Sequence, residues 1–164
     1  MSTVTVGKSA PSFELKSMEG GTYSLPSLLS QGPVVAAFFK VSCPTCQYTL
    51  PFLERLYRQL GGNGAQVVGI SQDTAHDSQA FARQFGVTFP VLIDGESYAV
   101  SREYGVEFVP TLFLIAPDGQ VEVSGDGFSK SDLLAIQSWL ARRLSVTLPS
   151  LFPPEEKVPE YKPG

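Results

Sequence analysis

Cys43 and Cys46 are the only cysteines in the 164-residue chain, and they stand at C-x-x-C spacing in the run Ser42-Cys43-Pro44-Thr45-Cys46. Two thiols at this spacing can cycle between dithiol and disulfide. One attacks a disulfide, and the second, one helical turn on, attacks the mixed disulfide that results. The flanking sequence suits that task. Val34-Val35-Ala36-Ala37-Phe38-Phe39 reads as a buried strand, and Leu50, Leu53, Tyr57 and Leu60 follow at helical spacing. The pair therefore falls at a strand-to-helix junction. There the unpaired N–H groups and the positive end of the helix dipole favour a thiolate. Ser42 is placed to cap this helix, and Pro44 is tolerated in its first turn.

Other uses of two cysteines fit less well. Structural zinc takes about four ligands, and beyond the cysteines the chain offers one distant histidine, His76. A structural disulfide closing so short a loop would stabilise little. No cofactor or metal is expected on this reading.

Composition bounds the remaining possibilities. Hydrophobic residues make up 43% of the chain and charged residues 17%, which suits a single globular domain with a substantial core. A formal net charge of −4 and the lack of a basic stripe argue against a nucleic-acid partner. Arg142-Arg143 reads as the cationic last turn of a helix. No apolar run approaches the roughly 20 residues of a membrane span. Met1-Ser2-Thr3-Val4-Thr5-Val6-Gly7 has neither the charged nor the apolar region of a secretory leader. A cytoplasmic location is the resulting expectation, and there a C-x-x-C pair is more often catalytic than structural.

The elements that would position the pair can be read in order. Phe13-Glu14-Leu15-Lys16 and Thr22-Tyr23-Ser24-Leu25 form a hairpin around Gly20-Gly21, followed by a helical turn at residues 26–29. After the first buried strand and the dithiol helix, which Pro51 should kink and Gly61-Gly62 should end, a second buried strand covers residues 66–71. Thr74 or Asp73 caps a helix carrying Phe81 and Phe85 that stops at Gly86. Residues 89–93 form a third strand, 97–104 a short helix, and 111–115 a fourth strand. Pro117-Asp118-Gly119 turns that strand into an antiparallel partner at residues 120–124. Ser129 caps a last helix bearing Leu133, Ile136, Leu140 and Leu144. The expected fold class is α/β, a central mixed sheet with helices on both faces. It fills residues 1–146, and 147–164 form a proline-rich, charged tail that Leu151 and Phe152 could pin to the domain.

Pro110 opens the fourth strand, where it cannot donate to a ladder and so marks an edge or a special backbone. With the apolar strand, Cys43-Pro44-Thr45-Cys46, Pro51 and Val109-Pro110-Thr111 in this order, the chain resembles the thioredoxin superfamily. It further resembles the redoxin branch of TlpA/ResA-type proteins and peroxiredoxins (AhpC/TSA-related). Gly7-Lys8-Ser9-Ala10-Pro11-Ser12-Phe13-Glu14-Leu15 matches that branch's opening, and residues 71–91 match its βα insert. The resemblance runs from about Val6 to Leu144. It implies a thioredoxin-like fold in which Pro110 is cis and lies beside the dithiol, while Val109 offers its backbone to substrate. Pro44 and Thr45 share the substrate-facing surface.

Two positions depart from thioredoxins proper. Ala37 stands where they carry a buried proton-relay Asp. Asp73 matches an acid that some TlpA/ResA-type proteins bring to the dithiol, and it can equally be a plain helix cap. Lys40, three residues before Cys43, is expected to leave the strand end for solvent.

The resemblance implies a thiol–disulfide oxidoreductase with Cys43 as attacking and Cys46 as resolving thiol. Its substrates are protein or small-molecule disulfides or thiols, with a thiol reductant to recycle it. Peroxidase chemistry of the peroxiredoxin kind, an antioxidant activity, is the alternative. That family needs Pro, Thr or Ser, and Arg where this chain has Ala36, Lys40 and Pro110. A non-catalytic module, such as a metal carrier of the Sco type, would use C-x-x-x-C and a downstream histidine; here the spacing is one residue shorter and no histidine follows His76.

Overall fold

A computed structural model describes residues 3–164; Met1 and Ser2, the start of the stretch read for a leader, lie outside it. Strand β3 (Val34–Phe39) is the centre of a five-stranded sheet and is buried along its whole length. Its neighbours are β4 (Gln66–Ser71), which runs parallel, and β6 (Thr111–Ile115), which runs antiparallel. β5 (Val91–Ile93), parallel to β4, and β7 (Val121–Asp126), antiparallel to β6, complete the order β5-β4-β3-β6-β7. The mixed sheet is thioredoxin-like.

The unbroken apolar run of β3 follows from burial on both faces. Val35, Ala37 and Phe39 join a core with Leu50 and Leu53 of α2 (Pro44–Leu60), Phe81 of α3 (Ala75–Phe85), and Leu133, Ile136 and Leu140 of α5 (Lys130–Leu144). Val34, Ala36 and Phe38 point the other way. They pack with Leu25 and Leu28 of α1 (Leu25–Leu29), Val100 of α4 (Ala99–Glu103), and Tyr104. Gly69 of β4 is needed for this packing, since a Cβ there would press on Phe39 and Phe89 at 3.1 and 3.2 Å. The hairpin of β1 (Glu14–Lys16) and β2 (Thr22–Ser24) lies at the β5 edge, where Met18 N–H donates to Val91 O at 2.8 Å.

Two expected details differ, and one open choice is decided. The third strand begins at Val91 rather than Phe89, because the N–H groups of Thr88 and Phe89 turn away from the ladder to the Glu54 carboxylate, at 2.7 and 3.3 Å. Thr74, not Asp73, caps α3, its side chain accepting from Asp77 N–H at 3.1 Å. Beyond α5, the stretch expected to lack regular structure carries β9 (Tyr161–Lys162), which pairs antiparallel with β8 (Phe128–Ser129). Leu151 and Phe152 are buried against the α2 and α5 side of the core.

Candidate active site

The site forms where β3 ends and α2 begins. Helix α2 starts at Pro44, so the N-cap position falls to Cys43, not to Ser42 as expected; Ser42 is exposed. The Cys43 Sγ accepts the Cys46 N–H at 3.1 Å. An orphan N–H at the helix start is thereby aimed at the sulfur, which stabilises negative charge there. Pro51 lies inside the helix, whose ladder runs on to Leu60 and ends at Gly61 in the left-handed region (φ 57°).

Cys46 is fully buried one turn further on, whereas Cys43 is half-buried. Burial is the main cause that pushes the Cys46 thiol pKa well up from its ordinary value. The hydrogen bond with Cys43 adds to this, a backbone contact with Lys40 opposes it, and the Asp73 charge contributes a smaller upward push. The two thiols therefore differ in kind. Cys43 is accessible and faces an N–H donor, and Cys46 is held as a neutral thiol behind it.

The loop before β6 closes the other side. The Val109–Pro110 bond is cis, as the resemblance implies. The Val109 carbonyl lies 3.4 Å from Cys43 Sγ, placing this backbone beside the dithiol. Pro110 O accepts the Gly127 N–H at 2.8 Å, which ties the loop to the start of β8. Thr45, between the cysteines, directs its hydroxyl to Pro163 O at 2.6 Å, and Pro44 is exposed.

Asp73 comes to this region from the end of β4. Its Oδ2 accepts the Val41 N–H at 2.8 Å, so the carboxylate faces the β3–α2 connection rather than the start of α3. Lys40 does not run into solvent. It is half-buried with its ammonium 5.4 Å from the centre of the Tyr98 ring, in a cavity of about 430 Å³ that Arg102, Phe108 and Val109 also line. His76 is exposed. No group of three or more metal-ligating side chains occurs among the described residues. No described helix is long and apolar enough to cross a membrane.

Two buried acids escaped the sequence reading. Glu54 of α2 receives Thr88 and Phe89 N–H, the Thr88 hydroxyl and the Arg58 guanidinium. Asp94 receives the N–H groups of Val100 and Ser101 and the Ser101 hydroxyl, fixing the start of α4. The only sequence signal for Glu54 was its i,i+4 spacing to Arg58, which is usually a surface pair. Asp94 stands before Gly95, a pair that in sequence signals a turn and nothing more.

Fold and site together define a thioredoxin-like protein with a dithiol at a helix N-terminus and a cis-proline loop beside it. The model of the AhpC/TSA family matches residues 6–124, and the chain belongs to that family. The thiol-disulfide oxidoreductase ResA of Geobacillus thermodenitrificans is 32% identical over 120 residues, covering 73% of this chain and 68% of the relative. Among solved structures, a Chlorobium tepidum protein assigned as a thiol:disulfide interchange protein DsbE superposes with a TM-score of 0.75. It is 28% identical, over 87% of this chain and 99% of its own. Peroxidoxin BcpB of Mycobacterium tuberculosis superposes with a TM-score of 0.67 at 26% identity, over 87% of this chain and 97% of its own.

Proposed function

We propose that the protein is a thiol–disulfide oxidoreductase that works through Cys43 and Cys46. The observation that carries this reading is the asymmetry of the pair: an accessible sulfur at the N-cap of α2 and a buried neutral thiol one turn behind it. The Cys43 thiolate attacks one sulfur of a substrate disulfide. The substrate S–S bond breaks, a mixed disulfide forms at Cys43, and the first substrate thiolate leaves. Cys46 then gives up its proton and attacks Cys43 Sγ. The Cys43–Cys46 bond forms as the second substrate thiolate departs, so two electrons pass from protein to substrate. A thiol reductant returns the pair to its dithiol state. Val109 offers its backbone to the substrate, with Pro110 holding that backbone beside Cys43 and Pro44 and Thr45 forming the adjoining surface. Asp73 is the group best placed to take the proton from Cys46.

Similarity to a peroxidoxin keeps peroxide reduction as a second reading. Against it, Ala36 is buried in the sheet, Lys40 is engaged with Tyr98, and Pro110 stands where an arginine is needed. A peroxide oxygen at Cys43 would lack its polar cradle. Insulin disulfide reduction and thiol-dependent consumption of hydrogen peroxide should be measured side by side. Disulfide reduction with little peroxide turnover is expected; efficient peroxide turnover without disulfide exchange would reverse the order of the two readings.

A further inference from the structure

The segment that follows α5 is held in two different ways. Leu151 is fully buried, and Phe152 packs on Phe52 and Phe128. Residues 160–164 are exposed, yet they follow a defined path across the dithiol end of the molecule. Lys130 N–H donates to Glu160 O at 2.9 Å, and β9 pairs with β8 in the register Ser129↔Tyr161 and Phe128↔Lys162. The Lys162 ammonium lies 4.5 Å from the centre of the Tyr48 ring. Thr45 donates its hydroxyl to Pro163 O at 2.6 Å. Gly164 then lies backbone to backbone with Val109, so closely that a Cβ at 164 would collide with the Val109 carbonyl. That same carbonyl faces Cys43 Sγ.

We infer that residues 160–164 occupy the polypeptide-binding groove of the dithiol, as a built-in stand-in that an extended polypeptide disulfide must displace to reach Cys43. That the displacing ligand is a substrate rests on the oxidoreductase reading; that the groove holds an extended chain does not. The contacts themselves select the ligand class. The pairing with β8, the bond to Glu160 O and the bond to Pro163 O all engage main-chain atoms, as in strand addition to an open edge. Any extended polypeptide offers those atoms, and a non-peptide disulfide does not. The buried Leu151 and Phe152 keep the strap tethered beside the groove, at an effective concentration on the order of millimolar. The exposed residues 160–164 can lift away while uncovering little apolar surface.

The test compares the full chain with a variant lacking residues 160–164, which retains Leu151 and Phe152. Reduction of insulin should rise severalfold in the shortened protein, while Cys43 alkylation by iodoacetamide and reduction of hydroxyethyl disulfide, neither of which uses main-chain contacts, should rise less. In the full chain, Tyr161→Ala combined with Lys162→Glu should move insulin reduction in the same direction, which guards against an effect of truncation on folding. A synthetic peptide of residues 157–164, supplied at millimolar level, should bind the shortened protein carrying Cys43→Ser, an assay that needs no thiol chemistry. Peptide binding without insulin turnover in any form supports the groove and overturns the oxidoreductase reading beneath it. Absence of peptide binding together with unchanged insulin reduction overturns the inference.

Discussion

Glu54, Asp94 and Asp73 are carboxylates close to the sheet that are held differently. Glu54 and Asp94 are 5% and 7% exposed, and each takes hydrogen bonds on both oxygens. Asp73 is half-buried and, among the described residues, accepts one hydrogen bond, from Val41 N–H to Oδ2. A carboxylate saturated by backbone donors is committed to holding a loop or a helix start, and has little acceptor capacity left for a proton. Asp73 keeps an oxygen in reserve, close enough to Cys46 for its charge to raise the thiol's pKa. Burial alone therefore does not distinguish the three acids; the acceptor capacity each has left does, and it is on this that the proposed role of Asp73 rests.

The largest effect is expected at the dithiol, and it sets the scale for the acids. Cys43→Ser should lower insulin reduction about a thousandfold or more with the fold retained. Residual turnover near the wild-type rate would place the chemistry elsewhere. Asp73→Asn should slow exchange by about ten- to a hundredfold while shifting the thermal midpoint little, because Asn can still accept the Val41 N–H. It should also lower the Cys46 pKa, since a negative charge that raises it has been removed. Unchanged exchange rates and thiol titration would reduce Asp73 to a structural acid like the other two.

Glu54→Ala should show the opposite pattern. It strands the N–H of buried Phe89, costing on the order of 1–3 kcal/mol measured by denaturant unfolding, while the N–H of exposed Thr88 can turn to water. The alkylation rate of Cys43 in the folded protein should stay the same. Slowed exchange with full stability in this variant would break the contrast between saturated and unsaturated acids.

The smallest effect is on the pH dependence of stability. Burial holds the Cys46 thiol above its ordinary pKa of 9.0, so the native state keeps a proton that the unfolded chain releases. The stability this thiol contributes is intact below that value and falls as pH rises past it. Cys46→Ala lacks this component. The gap in thermal midpoint between the reduced wild type and Cys46→Ala should therefore narrow between about pH 8 and about pH 10. A constant gap would show that Cys46 ionises as freely in the native state as in the unfolded one.

The sheet, the helices and the dithiol were legible because each rests on a local signal. The six-residue apolar run of β3, the C-x-x-C spacing at the helix start and the proline opening β6 all carry their meaning within a few neighbouring residues. Even there, the cap passed from Ser42 to Cys43, since one residue of helix register decides which side chain meets the N3 N–H. What a contact between distant segments creates left no such trace. Glu54 offers in sequence only its i,i+4 spacing to Arg58, and its role comes from the N–H groups that residues 88 and 89 deliver to it. Asp73 could be a cap or a neighbour of the dithiol, and the choice fell when its carboxylate met Val41, 32 residues earlier in the chain. Residues 160–164 have no periodicity of their own and gain an extended form only from the open edge of β8 and the backbone at Val109. Local spacing determined where the sulfurs stand and what they can do; tertiary packing decided which acid, which backbone and which segment stand beside them, because those partners are far away in sequence and meet only when the sheet closes.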